Sequence, residues 1–81
     1  MFYVYVLQDP ASGSIYIGYT KDLRQRMAQH KGSEHPGWQL KYYEAYASKA
    51  DAQERERRLK HHGSGVKALK QRLKQSLTNE S

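Results

Sequence analysis

The chain has no cysteine, and its 81 residues include only two prolines, one phenylalanine and one tryptophan. Without cysteine, neither a disulfide framework nor a thiolate metal site can stabilise it. Its longest apolar stretch, Phe2–Leu7, is far shorter than the roughly 20 residues of a membrane-spanning helix. That stretch also lacks the basic flank of a signal peptide. We therefore expect a small cytoplasmic protein without a membrane anchor.

Positive charge is in excess and is concentrated in one part of the chain. Lysine and arginine number 14 against 8 aspartates and glutamates, a net charge of +6. The segment 49–74 holds nine basic and three acidic residues and so carries the whole excess. A basic segment on a small domain favours a polyanionic partner, most often a nucleic acid. A merely basic, soluble protein is the alternative.

The pattern of residues predicts three strands and three helices. Aromatic and β-branched runs indicate the strands, and apolar side chains three or four residues apart indicate the helices. In chain order the predicted elements are strands 2–7 and 14–18, helix 21–31, strand 38–46, and helices 48–62 and 66–77. Asp9–Gly13 reads as the turn of an antiparallel hairpin. The expected fold is an α/β layered (α+β) sandwich, a small three-stranded antiparallel sheet flanked by helices, in one domain over 1–77 with a polar tail at 78–81.

Several chemistry-bearing residues follow in a distinctive order. Tyr3-Val4-Tyr5 and Tyr16-Ile17-Gly18 lie in the first two predicted strands, Arg26 and His30 in the first helix, and Glu56 in the second. This order resembles the GIY-YIG nuclease family over Phe2 to about Leu73. It looks most like the small stand-alone bacterial members, whose domain is similar to the N-terminal nuclease domain of excinuclease C.

The resemblance implies a metal-dependent DNA endonuclease that leaves 5′-phosphate and 3′-hydroxyl ends, in DNA repair or recombination. It also implies that Glu56, rather than Glu54, holds one Mg²⁺ or Mn²⁺ ion. Gly18 would let the backbone turn into the helix close to the substrate. The implied catalytic residues are Tyr5, Tyr16, Arg26, His30 and Glu56.

These residue types suit phosphodiester hydrolysis on chemical grounds. A single carboxylate can hold a Mg²⁺ ion that keeps most of its waters and takes a phosphate oxygen as a further ligand. The guanidinium of Arg26 offers a planar fork to phosphate oxygens. Tyrosine is a poor base unless neighbouring cations favour its phenolate. We expect Tyr16, near Arg26, to activate the water, Tyr5 to position it, and His30 to bond a tyrosine hydroxyl or transfer a proton.

Each of these residues also has a structural alternative. Tyrosines in short strands often serve packing alone. Arg26 by itself would be an ordinary solvated helix residue. His30 could cap the end of its helix, where a positive charge is favourable. Glu56 could simply pair with Lys60, four residues later on the same helix face.

The substrate-binding surface is expected to be cationic and indifferent to sequence. Stand-alone relatives usually carry a longer basic loop where this chain has the short, nearly neutral Lys31–Gly37. We therefore expect phosphate contacts mainly from the basic helices. The candidate nucleic-acid-binding residues are Arg24, Arg55, Arg57, Arg58, Lys60, Lys67 and Lys70.

The identity of the substrate and the need for a partner stay open. Phosphate contacts do not separate DNA from RNA without a site for the 2′-hydroxyl, so RNA is not excluded. A partner protein supplying substrate specificity is one expectation, because the chain has no room for a separate binding domain. The alternative function is a nucleic-acid-binding module that is non-catalytic or depends on a partner.

Overall fold

The computed structural model describes residues 1–31, 37–61, 63–75 and 77, without the side chains of residues 30, 31, 61 and 63–66. Three strands and three helices follow one another in the predicted order β-β-α-β-α-α. The elements are β1 (Phe2–Gln8), β2 (Ile15–Thr20), α1 (Leu23–Lys31), β3 (Gln39–Tyr46), α2 (Lys49–His61) and α3 (Gly63–Arg72). The predicted α+β class is confirmed.

β1 is the central strand of the antiparallel sheet, which has the order β2-β1-β3. The β1–β2 hairpin closes through Asp9, whose amide donates to the Ser14 carbonyl and whose carbonyl accepts from the Gly13 amide. Gly13 has φ +80°, a backbone conformation that glycine tolerates best. The β1–β3 pairing shifts register between Val6 and Leu7.

The hydrophobic core lies between one face of the sheet and helices α2 and α3. Because side chains alternate along a strand, Val4 and Val6 point to one face and Tyr5 and Leu7 to the other. All four are at most 1% exposed, so β1 is buried on both faces. The core cluster consists of Val4, Val6, Ile17, Ala52, Leu59 and Leu69.

Side-chain caps fix the starts of α1 and α2. The Asp22 carboxylate accepts from the Gln25 amide at 3.0 Å, and the Thr20 hydroxyl accepts from the Asp22 amide at 3.1 Å. Asp22 is thus the N-cap of α1, one residue before the helix begins. The Ser48 hydroxyl accepts from the Asp51 amide at 3.3 Å and caps α2, whose start was predicted at residue 48.

Four predicted boundaries differ from the structure by two residues or more: the end of β2, the start of α1 at Leu23, and both ends of α3, which stops at Arg72 rather than at 77. β2 continues to Thr20, because its last residues pair with β1 through Tyr3 opposite Thr20. The last helix begins at Gly63 rather than Val66, so the Gly63-Ser64-Gly65 segment forms its first turn instead of a linker. A helix start tolerates glycine and serine better than a helix interior does. Helical hydrogen bonding continues beyond Arg72, from the Leu77 amide to the Leu73 carbonyl.

Some expectations fall outside the described residues. They include most of the loop before β3 (32–36), His62 and the tail 78–81. Within the described ranges, no helix combines the length and the apolar character needed to cross a bilayer.

Candidate active site

Tyr5 and Gly18 lie opposite each other on the central and neighbouring strands. A Cβ atom at Gly18 would be 2.3 Å from the Tyr5 hydroxyl oxygen and 2.4 Å from its Cζ. The Tyr5 ring therefore occupies the space above Gly18. The expectation that Gly18 turns the backbone into a helix is wrong, because it lies inside β2. Its missing side chain is instead what admits the Tyr5 ring.

Tyr5 and Tyr16 form a pair on the face of the sheet opposite the core. Their ring centroids are 6.2 Å apart with an interplanar angle of 44°, and a side-chain hydrogen bond joins them. Tyr5 is completely buried, whereas Tyr16 is half-buried. The pair therefore has an inner, fixed member and an outer member that solvent reaches.

The charges of Arg26 on α1 and Glu56 on α2 both lie close enough to Tyr5 to shift its pKa. Burial, Tyr16 and Glu56 raise the pKa of Tyr5 to about 12, while Arg26 acts in the opposite direction. A tyrosine with this pKa is protonated near neutral pH and can donate a hydrogen bond. The fold thus brings together four of the five predicted catalytic residues, from β1, β2, α1 and α2.

Glu56 occupies an unusual place on its helix. It lies four residues after Ala52 and three before Leu59, and both of those side chains are buried in the core. Helical periodicity therefore places a carboxylate beside the apolar stripe, and its side chain is 23% exposed. A glutamate at such a position is seldom selected for packing. This periodicity is a signal in the sequence that supports Glu56 over Glu54, which lies on the outer side of α2.

Lys60 joins this cluster. Its Nζ lies 3.1 Å from the Glu56 carboxylate and 5.8 Å from the centroid of the Tyr16 ring. The pair that the sequence offered as an alternative role for Glu56 is therefore present. Because Glu56 is partly exposed and Lys60 is an exposed, mobile cation, this pairing leaves the carboxylate accessible. Lys60 was expected as a phosphate contact or as the partner of Glu56, and its position near the Tyr16 ring was missed.

Residues 1–68 match the family model described as the GIY-YIG catalytic domain. The chain belongs to the GIY-YIG family. It is 40% identical over 65 residues to a UPF0213 protein of Bacillus pumilus, in an alignment covering 72% of this chain and 65% of that protein. It is 33% identical over 67 residues to a UPF0213 protein of Halobacterium salinarum, covering 74% and 86% of the two chains. No solved structure matches it significantly.

Arg55, the neighbour of Glu56 on α2, has a different role from the one predicted. Its guanidinium donates to both oxygens of Glu44 on β3, at 2.9 and 3.1 Å. The hydroxyls of Tyr42 and Tyr46 donate to the same carboxylate. Arg55 is therefore committed to a bond between α2 and β3 and is no longer a candidate phosphate contact. Adjacent helix residues point about 100° apart, so Arg55 and Glu56 flank the core stripe on opposite sides.

The remaining predicted phosphate contacts do not form one surface. Arg57 and Arg58 pair with Glu54 on the outer side of α2, so their charges are less available to bind phosphate. Arg24 lies on α1 and lines a groove with Tyr3 and Tyr43. Lys67 and Lys70 are exposed on α3.

His30 lies in α1, one turn after Arg26, but its side chain is outside the described part of the chain. Its assignment stays a prediction.

Proposed function

We propose that this GIY-YIG domain is a metal-dependent DNA endonuclease that hydrolyses phosphodiesters to 5′-phosphate and 3′-hydroxyl ends. The observation that carries the proposal is the carboxylate of Glu56, held beside the core stripe of α2 and close enough to Tyr5, as Arg26 also is, to shift its pKa. Membership of a nuclease family supports the reaction class. The role of each residue in this chain is the proposed part.

The donor set suits a metal ion that keeps its own waters. Within the described residues there is no group of three histidine, cysteine or carboxylate side chains that would enclose an ion. Glu56 is partly exposed and shares one of its oxygens with an exposed lysine. One accessible carboxylate fits Mg²⁺ or Mn²⁺ held mainly by water and phosphate oxygens. When bound, such an ion supplies charge neutralisation at the phosphate and a more acidic water.

The protein side chains would then divide the work of binding and proton transfer. Arg26 would hold a phosphate oxygen with its planar fork. Tyr5, whose pKa of about 12 keeps it protonated, would donate a hydrogen bond and fix the Tyr16 hydroxyl. Tyr16, the solvent-accessible member of the pair, would act as the phenolate: its Oη would accept the proton of the attacking water and become the neutral hydroxyl, while the leaving 3′ oxygen would take a proton from solvent. His30 would assist one of these proton transfers.

The decisive experiment compares Glu56→Gln with Glu54→Gln. Both changes remove one carboxylate from α2, but Glu54 pairs with the outer arginines Arg57 and Arg58 rather than with any residue of the candidate site. Plasmid, single-stranded and branched DNA would be incubated with Mg²⁺ or Mn²⁺ and each purified protein. We expect Glu56→Gln to lose at least a hundredfold in cleavage rate and Glu54→Gln to retain the wild-type rate, because one group stabilising a developing charge is worth about that much.

Equal cleavage by the wild type and Glu56→Gln would overturn the proposed site. Cleavage by none of the three, with binding that weakens as salt rises, would favour the alternative function of a non-catalytic or partner-dependent binding module. The exposed cations Lys67 and Lys70 are the observation in favour of that module. RNA of the same sequence in the assay would decide between the two nucleic acids.

The wider setting is proposed on the same basis. We infer a single domain over residues 1–77, acting on DNA in the cytoplasm during repair or recombination. A protein partner that supplies substrate specificity accords with the short loop before β3.

A further inference from the structure

A second groove opens beside the candidate active site, between α1 and the first half of α2. We call it the helix groove; it has a volume of about 400 Å³ and is walled by Gln25, Arg26 and Gln29 on one side and by Lys49 and Gln53 on the other. Lys21 stands at its rim. Arg26 also acts on Tyr5, so the groove and the candidate site share a wall.

The walls of the helix groove follow from helical periodicity. Lys49, Gln53, Glu56 and Lys60 are spaced by four, three and four residues, which places them along one stripe of α2. Gln25 and Gln29, four residues apart, form the facing stripe of α1. The groove therefore leads along α2 from Lys49 to Glu56.

The charge of the helix groove is suited to a polyanion. Lys21 and Lys49 are exposed, and among the described residues neither forms an ion pair. Asp22 is the acidic residue of the lining, and one of its oxygens already accepts the Gln25 amide. With Arg26, the groove carries three cations against one carboxylate.

The other groups of the helix groove are suited to the sugars and bases of a strand. Three glutamine side chains offer amide donors and acceptors. Phe2 and Tyr19 lie at its base as a stacked pair, with ring centroids 6.5 Å apart and an interplanar angle of 6°. This combination of mobile cations, amides and aromatic edges is sequence-tolerant and typical of strand-binding surfaces.

We propose that the helix groove binds the DNA strand on one side of the scissile phosphate, with Lys21 and Lys49 contacting its phosphates. This inference rests on the proposed nuclease function. Seven residues of helix separate Lys49 from Glu56, a rise of about 10 Å. That distance corresponds to about three nucleotides at a rise of roughly 3.4 Å each. The cleaved strand is therefore contacted about three phosphates from the bond that breaks.

The test compares Lys21→Gln/Lys49→Gln with Arg72→Gln/Lys74→Gln. Both double variants remove two positive charges at exposed positions, and the second pair lies at the end of α3 and just beyond it, outside the lining of the groove. DNA binding would be measured without divalent metal, so that no cleavage occurs, over a range of salt concentrations. We expect the groove variant to bind about tenfold more weakly and to lose about two from the slope of log affinity against log salt. The control is expected to bind as the wild type does.

The position of the contacted phosphates is found by replacing one phosphate at a time along the substrate with a neutral methylphosphonate. We expect it to weaken wild-type binding most at about three phosphates from the cleaved bond, and to have no such effect on the groove variant. If the wild type cleaves DNA but both double variants bind alike, the groove inference fails and the nuclease function stands. If the wild type neither binds nor cleaves DNA, both fail.

Discussion

Two clusters in this small protein are built from the same side chains, two tyrosines, one glutamate and cations. In one, which we call the structural cluster, Glu44 accepts hydrogen bonds from Tyr42 and Tyr46 and both arms of Arg55. In the other, the candidate site, Glu56 faces Tyr5 and Tyr16, and Lys60 bonds to one of its oxygens. The first carboxylate is saturated and the second is not.

The difference separates a bond that holds the fold from a group available for chemistry. Burial opposes ionisation of Glu44, but the hydrogen bonds from Arg55, Tyr46 and Tyr42 outweigh it and hold the pKa of Glu44 below its ordinary value. Every lone-pair direction of that carboxylate has a partner fixed on β3 or α2. Among the described residues, the ion-pair partner of the Glu56 carboxylate is an exposed lysine, Lys60, which a metal ion or phosphate can displace at little cost.

The largest expected effect is loss of stability when the structural cluster is broken. Glu44→Ala leaves the guanidinium of Arg55 partly buried without a partner, with 31% of that side chain exposed. We expect a cost of about 3 kcal/mol, towards the lower end for a buried pair. In a domain of this size that lowers Tm by roughly 15 °C. The measurement is thermal unfolding followed by circular dichroism.

The control for this change is Glu54→Ala, which removes a carboxylate from two exposed arginines and should leave Tm unchanged.

The pH dependence of Tm gives a second test of the structural cluster. Because folding lowers the pKa of Glu44, its stabilisation is present above its ordinary pKa and is lost as pH falls through the folded value. Glu44→Ala should therefore flatten the acid limb of Tm against pH. An unchanged Tm in Glu44→Ala would contradict the structural role of this cluster.

The next effect concerns the inner tyrosine of the candidate site. Gly18→Ala places a methyl group on the Tyr5 ring and should cost about 2 kcal/mol, in the range of overpacked cores. DNA cleavage should fall with it, because the Tyr5 hydroxyl is displaced. In a Tyr5→Ala background most of this cost should disappear, leaving the weaker contact of the methyl with Tyr16 Cε2 at 2.9 Å. A double-mutant cycle by denaturant unfolding would measure the difference. If the losses of stability from Gly18→Ala and Tyr5→Ala simply add in the double variant, the two residues are not in contact.

A smaller effect is expected in alkali. Burial, chiefly, raises the pKa of both Tyr5 and Tyr46 to about 12 on folding. A group with a raised pKa contributes stability that is complete below about pH 10 and is lost as pH rises towards 12. Tyr5→Phe and Tyr46→Phe should each reduce the fall of Tm across that interval. A fall as steep as in the wild type would show that neither tyrosine is held in its protonated form.

The smallest effect is predicted for Lys60→Gln. Removing a cation that shares Glu56 with the metal should lower the Mg²⁺ concentration for half-maximal cleavage about two- to threefold, since exposed ion pairs are weak. Lys74→Gln, at an exposed position outside the candidate site, is the matched control of equal charge. If Lys60 acts instead as a phosphate contact, DNA affinity falls and the metal requirement stays the same.

Much of the fold was predictable because local signals agreed. The run Phe2–Leu7 indicated a strand, and Ser48 marked the start of α2 where the structure has it. The boundary at Gly63 was missed because glycine and serine read as a linker when their place in a first helical turn is unknown. Which strand is central depends on long-range pairing that no local pattern encodes.

The residues of the candidate site were predictable from the sequence, but the contacts that each of them makes were not. Arg55 and Glu56 are neighbours in sequence, yet one reaches β3 and the other the Tyr5–Tyr16 pair. Their opposite directions follow from helix geometry, but their partners follow from the strand order β2-β1-β3. Gly18 was identified from the sequence, but the sequence did not show why a glycine is needed there: the Tyr5 ring from the neighbouring strand occupies the space of a side chain.

The central position of β1 also sets how long the site survives fluctuations of the native state. Val4, Tyr5, Val6 and Leu7 are hydrogen-bonded to strands on both sides and are hidden from solvent. Amides in such a strand exchange with solvent hydrogen only in the most costly openings. Tyr5 therefore keeps its place while helix ends fray and the outer cations move, so the reaction centre has one residue whose position lasts as long as the fold itself.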